Sequence, residues 1–175
     1  NPRECPRQIT NVGISPITKL FIVRIHNLER NSIASGKEGM LPPSENMQSL
    51  EWSDQLSTFA QRWANQCIHV DTNSTLDTCR DMMQYGVKQI VQTKFTKKKG
   101  VKLLYKWQKV VTSWYKPGIK TSLDALNRHN VGAGLITLDR YSYLLNAAFE
   151  YVGCGYMEFK YKKGFREVYV CNYGP

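Results

Sequence analysis

The sequence lacks most of the features that assign a function directly. None of its apolar runs approaches the roughly 20 residues that a membrane-spanning helix needs. It contains no glycine-rich phosphate loop, no G-x-S-x-G nucleophile motif, no C-x-x-C pair and no Arg-Gly-Asp, so the corresponding enzyme and adhesion classes have no support. It also lacks internal repeats and flexible linkers, and its 175 residues suit one domain.

Residues 82–123 contain ten lysines and no acidic residue. The positive charge of this segment therefore equals the net charge of the whole chain, which is +10. This basic segment is either a solvated face or a docking surface for acidic glycans or anionic membrane. We do not expect nucleic acid as a partner. The candidate polyanion-binding residues are Lys88, Lys94, Lys97, Lys98, Lys99, Lys102, Lys106 and Lys109.

The five cysteines are an odd number, so at most two internal disulfides can form. A glycosylation sequon begins at Asn73 and has a function only in the secretory pathway. Together these features favour a secreted, extracellular protein over a cytosolic one with reduced cysteines.

Hydrophobic periodicity predicts four helices followed by a β-hairpin at the end of the chain. Ser15 and Ser53 are expected to cap the first two helices, and the first is expected to bury Ile17, Phe21, Ile25 and Leu28. The expected helices cover 16–35, 54–67, 102–114 and 139–146, and the expected strands cover 87–93, 149–161 and 167–173. A cross-strand disulfide between Cys154 and Cys171 is sterically sensible in such a hairpin.

Six motifs in the same order resemble the CAP superfamily of cysteine-rich secretory, antigen-five and pathogenesis-related proteins. Within it they are most similar to the insect antigen-five branch of venom and salivary allergens. The motifs are His26-Asn27-Leu28-Glu29-Arg30, Leu41-Pro42-Pro43, Ala60 to Cys67, Asp77-Thr78-Cys79-Arg80, Val152-Gly153-Cys154-Gly155 and Val170 to Pro175.

This resemblance implies a single-domain, three-layer α-β-α sandwich with a C-terminal antiparallel hairpin. We expect residues 1–14 to form an extension tethered by Cys5, and residues 15–175 to form the domain. The implied disulfides are Cys5–Cys67 and Cys154–Cys171. Cys79 is then unpaired, or it links a second chain.

The superfamily cleft carries two histidines and two acidic residues, a set suited to zinc. The matching positions here are Leu76, Gln89, Val110 and Arg140, which offer too few lone pairs for a divalent ion. The resemblance therefore implies a degenerate metal site, and we expect no cofactor and no enzymatic activity. The rival hypothesis is a metal-dependent hydrolase with a site rebuilt from His69 and His129.

Some members of the superfamily carry a fatty acid or a sterol between helices. Here the residues that might line such a groove are Leu103, Trp107, Val110 and Trp114, although the same spacing is typical of a core-facing helix. The expected function is therefore binding of acidic surfaces through the lysine-rich segment. Carriage of a small lipid is the alternative.

Overall fold

A computed structural model describes residues 8–37, 41–67, 86–97, 102–116, 122–128 and 136–175 of the chain. No helix in these ranges is long and apolar enough to span a membrane. The structure is a sheet with helices on both faces, which confirms the expected α-β-α sandwich.

The part of the sheet that the described residues form has five strands, and its long C-terminal hairpin lies at the centre. The strands are β1 (Ile9–Val12), β2 (Glu51–Trp52), β3 (Lys88–Thr96), β4 (Tyr151–Tyr161) and β5 (Gly164–Gly174). They run in the order β1-β4-β5-β3 with antiparallel pairing, and β2 pairs with β4 in parallel. Residues 9–12 therefore pair with the central hairpin, while the expected division into residues 1–14 and 15–175 stays a prediction.

Within the described ranges, five helices accompany the sheet, and two of them begin at the expected serine caps. They are α1 (Pro16–Ala34), α2 (Asp54–Ala64), α3 (Leu103–Tyr115), α4 (Leu123–Asn127) and α5 (Ile136–Leu144). Ser15 accepts a hydrogen bond from the Thr18 amide, and Ser53 accepts one from the Leu56 amide. Each bond satisfies a backbone donor that the first turn of a helix leaves free.

The buried side of α1 is not the one that the apolar pattern predicted. Ile25 is buried as expected, but Ile17 and Leu28 are 66% and 59% exposed. The residues that α1 buries are Thr18, Ile22, Ile25, His26, Arg30 and Ile33. Phe21 packs partly buried against the same core, so the prediction was wrong for Ile17 and Leu28, which lie on the outer side of the helix.

The polar side chains of His26 and Arg30 are buried because the fold provides hydrogen-bond partners for them. His26 Nδ1 donates to the Ile22 carbonyl at 2.8 Å, so Nε2 is free to accept from the Tyr173 hydroxyl at 2.8 Å. Arg30 donates to the carbonyl oxygens of Gln48 and Leu144 at 3.0 and 2.8 Å.

Helix α2 packs so closely on one face of the sheet that β4 needs glycine beneath it. A Cβ atom on Gly153 would lie 2.2 Å from the Ser57 amide nitrogen, and one on Gly155 would lie 2.4 Å from the Gln61 amide nitrogen. Between the two glycines, the Cys154 side chain points to the opposite face and forms a disulfide with Cys171.

The other face of the sheet carries α1, α3 and α5. Helices α1 and α3 pack against each other, and α5 packs against α3. Their inner side chains form one core with those of β4 and β5 that point to the same face, including Tyr156, Tyr169 and Tyr173.

Candidate functional site

Of the four positions that match the superfamily metal site, the structure describes Gln89, Val110 and Arg140, and it places them on different sides of the sheet. Gln89 lies on β3 opposite Asn172, and its Nε2 donates to the Asn172 Oδ1 at 2.8 Å. Asn172 in turn donates to the carbonyl of Leu56 in α2. The Gln89 amide therefore lies on the α2 side of the sheet.

The other two described positions belong to the opposite layer. Val110 is fully buried between α3 and the sheet. The Arg140 guanidinium donates to the Val91 carbonyl at 2.5 Å, and burial lowers its pKa. Neither side chain offers a lone pair to a cation, so these residues do not fit a divalent metal. Leu76, His69 and His129 lie outside the described residues.

Across the described ranges, no group of three His, Cys, Asp or Glu side chains is arranged to hold an ion. His26 is the histidine that these ranges contain, and its two ring nitrogens bond to Ile22 and Tyr173. Burial lowers its pKa to about 4. At neutral pH it is an uncharged core residue and not a metal ligand that faces a cleft.

The candidate lipid-lining residues belong to the core. Trp107 and Val110 are fully buried and Trp114 is 2% exposed, while Leu103 packs against the same cluster. Trp107 meets Tyr169 edge to face with ring centroids 5.1 Å apart. The four side chains therefore fill the space between α3 and the sheet instead of lining a groove.

The lysines of the basic segment divide into an exposed group and a partly buried group. Lys97, Lys102, Lys109 and Lys116 are exposed, and none forms an ion pair with any carboxylate of the described residues. The Lys109 ammonium lies 4.4 Å from the centre of the Tyr105 ring. Lys98 and Lys99 lie outside the described ranges.

Lys106 belongs to the partly buried group and is held by two carboxylates of the hairpin. Its ammonium lies 2.5 Å from Glu158 and 2.7 Å from Glu167, two residues that face each other across β4 and β5. Burial alone would lower the pKa of Lys106, but its hydrogen bonds to the two glutamates raise it. Lys106 is therefore not available to an external anion.

Two tyrosines bond to the same glutamates and, together with Lys106, form a buried polar cluster. The Tyr169 hydroxyl donates to Glu167 at 2.7 Å, and the Tyr156 hydroxyl donates to Glu158 at 3.2 Å. Burial, together with the nearby carboxylates, raises the pKa of both tyrosines. A register count along the hairpin would have found the cluster, because it places Glu158 opposite Glu167 and two like charges need a cation between them.

Lys94 and Lys88 are also partly withdrawn from solvent. Lys94 pairs in register with Glu167. Burial lowers the pKa of Lys94, the Glu167 charge opposes that effect, and the charge of Lys109 adds to it. The Lys88 ammonium lies 5.5 Å from the centre of the Tyr143 ring. The cationic surface is consequently smaller than the lysine count of the segment suggests.

Comparison with known proteins identifies the family. The model of the cysteine-rich secretory protein family, called CAP, matches residues 23–173. The chain belongs to this family.

Similar curated proteins include venom allergens. The chain is 35% identical to venom allergen 5 of Vespula flavopilosa, over 95% of this chain and 79% of the allergen. Two solved structures share the fold at lower identity. BmVAL-1 has a TM-score of 0.74 at 23% identity, over 93% of this chain and 78% of its own. NaASP2, solved with Zn²⁺, has a TM-score of 0.70 at 16% identity, over 98% and 84%.

This CAP domain also has an apolar groove in its helical layer. The groove is an open depression of about 610 Å³ between the end of α1, the loop that follows it, α4 and the C-terminal end of α5. Its apolar lining includes Ile33, Leu41, Met47, Leu126 and Leu145. The sequence pattern did not reveal it, because the lining residues come from four separate segments.

The cysteines of this CAP domain are described only in part. Cys154 and Cys171 form a disulfide across the hairpin. Cys67 is buried at the end of α2 and is disulfide-bonded. Cys5, Cys79 and the sequon at Asn73 lie outside the described residues.

Proposed function

We propose that this CAP domain is a secreted, non-catalytic binding protein that docks on acidic surfaces through its exposed lysines. The observation that carries the proposal is the exposure of Lys97, Lys102, Lys109 and Lys116, in a segment with no carboxylate of its own. Anionic glycans and anionic lipid headgroups both match such a surface. Secretion is supported by the disulfide and by the kinship with venom allergens.

Retention on heparin tests the proposal. The wild type is expected to bind at low salt and to elute as salt rises, because binding releases counterions from the polyanion. Changing Lys97, Lys102 and Lys109 together to glutamate is expected to abolish retention.

The matched control changes Lys37, Lys160 and Lys162 to glutamate, which are also exposed and alter the net charge equally. The control is expected to keep most of the retention. Equal loss in both variants would show that total charge alone is responsible and would refute the assignment to this segment.

A second candidate function is carriage of a small hydrophobic ligand, such as a fatty acid or a sterol. The apolar groove beside α4 favours it, because a cavity of this volume suits a small ligand. Native mass spectrometry of protein purified without detergent is expected to show a bound lipid. Changing Leu126 to Asp is expected to remove that lipid.

The rival enzyme hypothesis needs a metal. Zinc analysis of extensively dialysed protein is expected to find less than stoichiometric metal, because Gln89, Val110 and Arg140 supply no suitable set of donors. One tightly held zinc per chain would refute the non-catalytic proposal.

A further inference from the structure

Helix α1 exposes a row of large aliphatic side chains on the side that faces away from the sheet. Ile17, Leu20 and Leu28 are 66%, 74% and 59% exposed. They lie at i, i+3 and i+11 with the exposed Arg24 between them, so they share one face of the helix. Helix α1 thus carries large apolar side chains on its outer side, while its inner side buries the polar residues His26 and Arg30.

Such a row differs from scattered apolar residues at a surface. Single exposed leucines are common and need no explanation, whereas an apolar row along one helix marks a binding surface. The row is not needed for the core, because α1 packs on the sheet and on α3 with its other side.

The neighbouring helix α3 adds positive charge to the same outer surface. Helices α1 and α3 lie on the same side of the sheet and contact each other, and the Thr112 hydroxyl donates to Glu29 at 2.9 Å between them. On α3 and at its ends, Lys102, Lys109 and Lys116 are exposed. Glu29 is the one carboxylate in either helix, and it is half-buried.

We infer that this outer surface, formed by Ile17, Leu20, Arg24 and Leu28 of α1 with Lys102, Lys109 and Lys116 of α3, docks on an anionic lipid bilayer. The aliphatic row enters the boundary between headgroups and acyl chains, and the basic side chains pair with lipid phosphates and carboxylates. The inference rests on the proposed function, of which it names one target.

The combination of side chains selects a bilayer over other partners. A sulfated glycan offers nothing to three aliphatic side chains, whereas a bilayer accepts both components. A second copy of the chain is a poor match, because the residues named for this surface include no carboxylate that could pair with the basic side chains of the other copy.

Co-sedimentation with vesicles tests the inference. The wild type is expected to bind vesicles of phosphatidylcholine and phosphatidylserine at 3:1, and to bind pure phosphatidylcholine at least tenfold more weakly. The double variant Leu20→Ser, Leu28→Ser is expected to lose at least tenfold in affinity for the anionic vesicles while its heparin retention stays unchanged.

A matched control uses two other exposed aliphatic residues. Ile9 and Val12 are 52% and 53% exposed on β1, and they pair in register with Phe159 and Met157, which face α2. The double variant Ile9→Ser, Val12→Ser is therefore expected to bind vesicles like the wild type. Thermal unfolding of each variant verifies that it is folded.

The outcomes separate this inference from the proposed function. Vesicle binding that is unchanged by Leu20→Ser, Leu28→Ser would overturn the inference. Heparin retention without any vesicle binding would overturn it and leave the proposed function standing. A wild type that neither is retained on heparin nor binds vesicles would overturn both the inference and the proposed function. A wild-type dimer that dissociates in the Leu20→Ser, Leu28→Ser variant would assign the row to a second copy instead.

Discussion

Glu158 and Glu167 lie directly opposite each other across β4 and β5, and the ammonium of Lys106 contacts both. Two carboxylates in such a cross-strand pair would repel each other without a cation between them. Burial alone would raise the pKa of Glu158, but hydrogen bonds from Lys106 and Thr10 hold it below its ordinary value. The most basic segment of the chain thus provides the counterion for the most acidic part of the hairpin.

Lys106→Met is expected to destabilise the domain by about 3 kcal/mol, because it leaves two mostly buried carboxylates without their cation. The measurement is the free energy of unfolding from urea denaturation at pH 7. Lys109→Met is the control, since Lys109 is exposed, and it is expected to change stability by less than about 0.5 kcal/mol.

Replacing both glutamates by glutamine in the Lys106→Met background is expected to recover part of the lost stability, because the repulsion is removed. Equal stability of Lys106→Met and the wild type would contradict this description of the cluster.

His26 is expected to make the domain less stable in acid. Its pKa is about 4 when folded because of burial, against about 6.5 when unfolded. Between these values the unfolded chain binds more protons, so stability falls as the pH drops from 6.5 to 4, by about 3 kcal/mol from this group. His26→Gln is expected to show a weaker pH dependence over that range in urea unfolding. An unchanged slope would exclude His26 as the responsible group.

Gly155→Ala is expected to destabilise the domain by about 3 kcal/mol, because the new methyl group would collide with the backbone of α2. The Cβ would lie 2.4 Å from the Gln61 nitrogen and 2.6 Å from the Ala60 carbonyl carbon, and neither atom can rotate away. The control is Gly174→Ala on β5, whose Cβ would lie 3.4 Å from the nearest side-chain atom. Thermal unfolding of both variants measures the effect, and similar melting temperatures would contradict the close contact.

Arg140→His is expected not to create a zinc site, even though it introduces a residue type that the superfamily site uses. Val110 has no donor atom, and Gln89 is bonded to Asn172 on the other side of the sheet. The measurement is the metal content of the dialysed variant by mass spectrometry, together with a shift in melting temperature on addition of zinc. Stoichiometric zinc in the variant, but not in the wild type, would show that the remaining positions form a usable site.

Features that depend on neighbouring residues were predictable from the sequence. The caps at Ser15 and Ser53, the beginning of α2 and the two arms of the hairpin agree with the structure, because capping, periodicity and turn formation act over a few residues. The strand β1 was not expected, since four residues with little pattern become a strand only through pairing with β4.

The candidate site was predictable only in part, because its contacts join residues that are far apart in the sequence. The degenerate metal positions remain a prediction from resemblance, and the sequence did not show on which sides of the sheet Gln89 and Val110 lie. It showed a lysine-rich segment, but not that Lys106 is bonded to a residue 52 positions further along.

The sequence alone determined the amount of positive charge, the capped starts of α1 and α2, and the C-terminal hairpin, because composition and short-range spacing specify these. Only the tertiary structure decided which lysines remain exposed and which side of α1 is buried. Burial of His26 and Arg30 depends on carbonyl and hydroxyl partners that distant segments supply, and no local pattern encodes those partners.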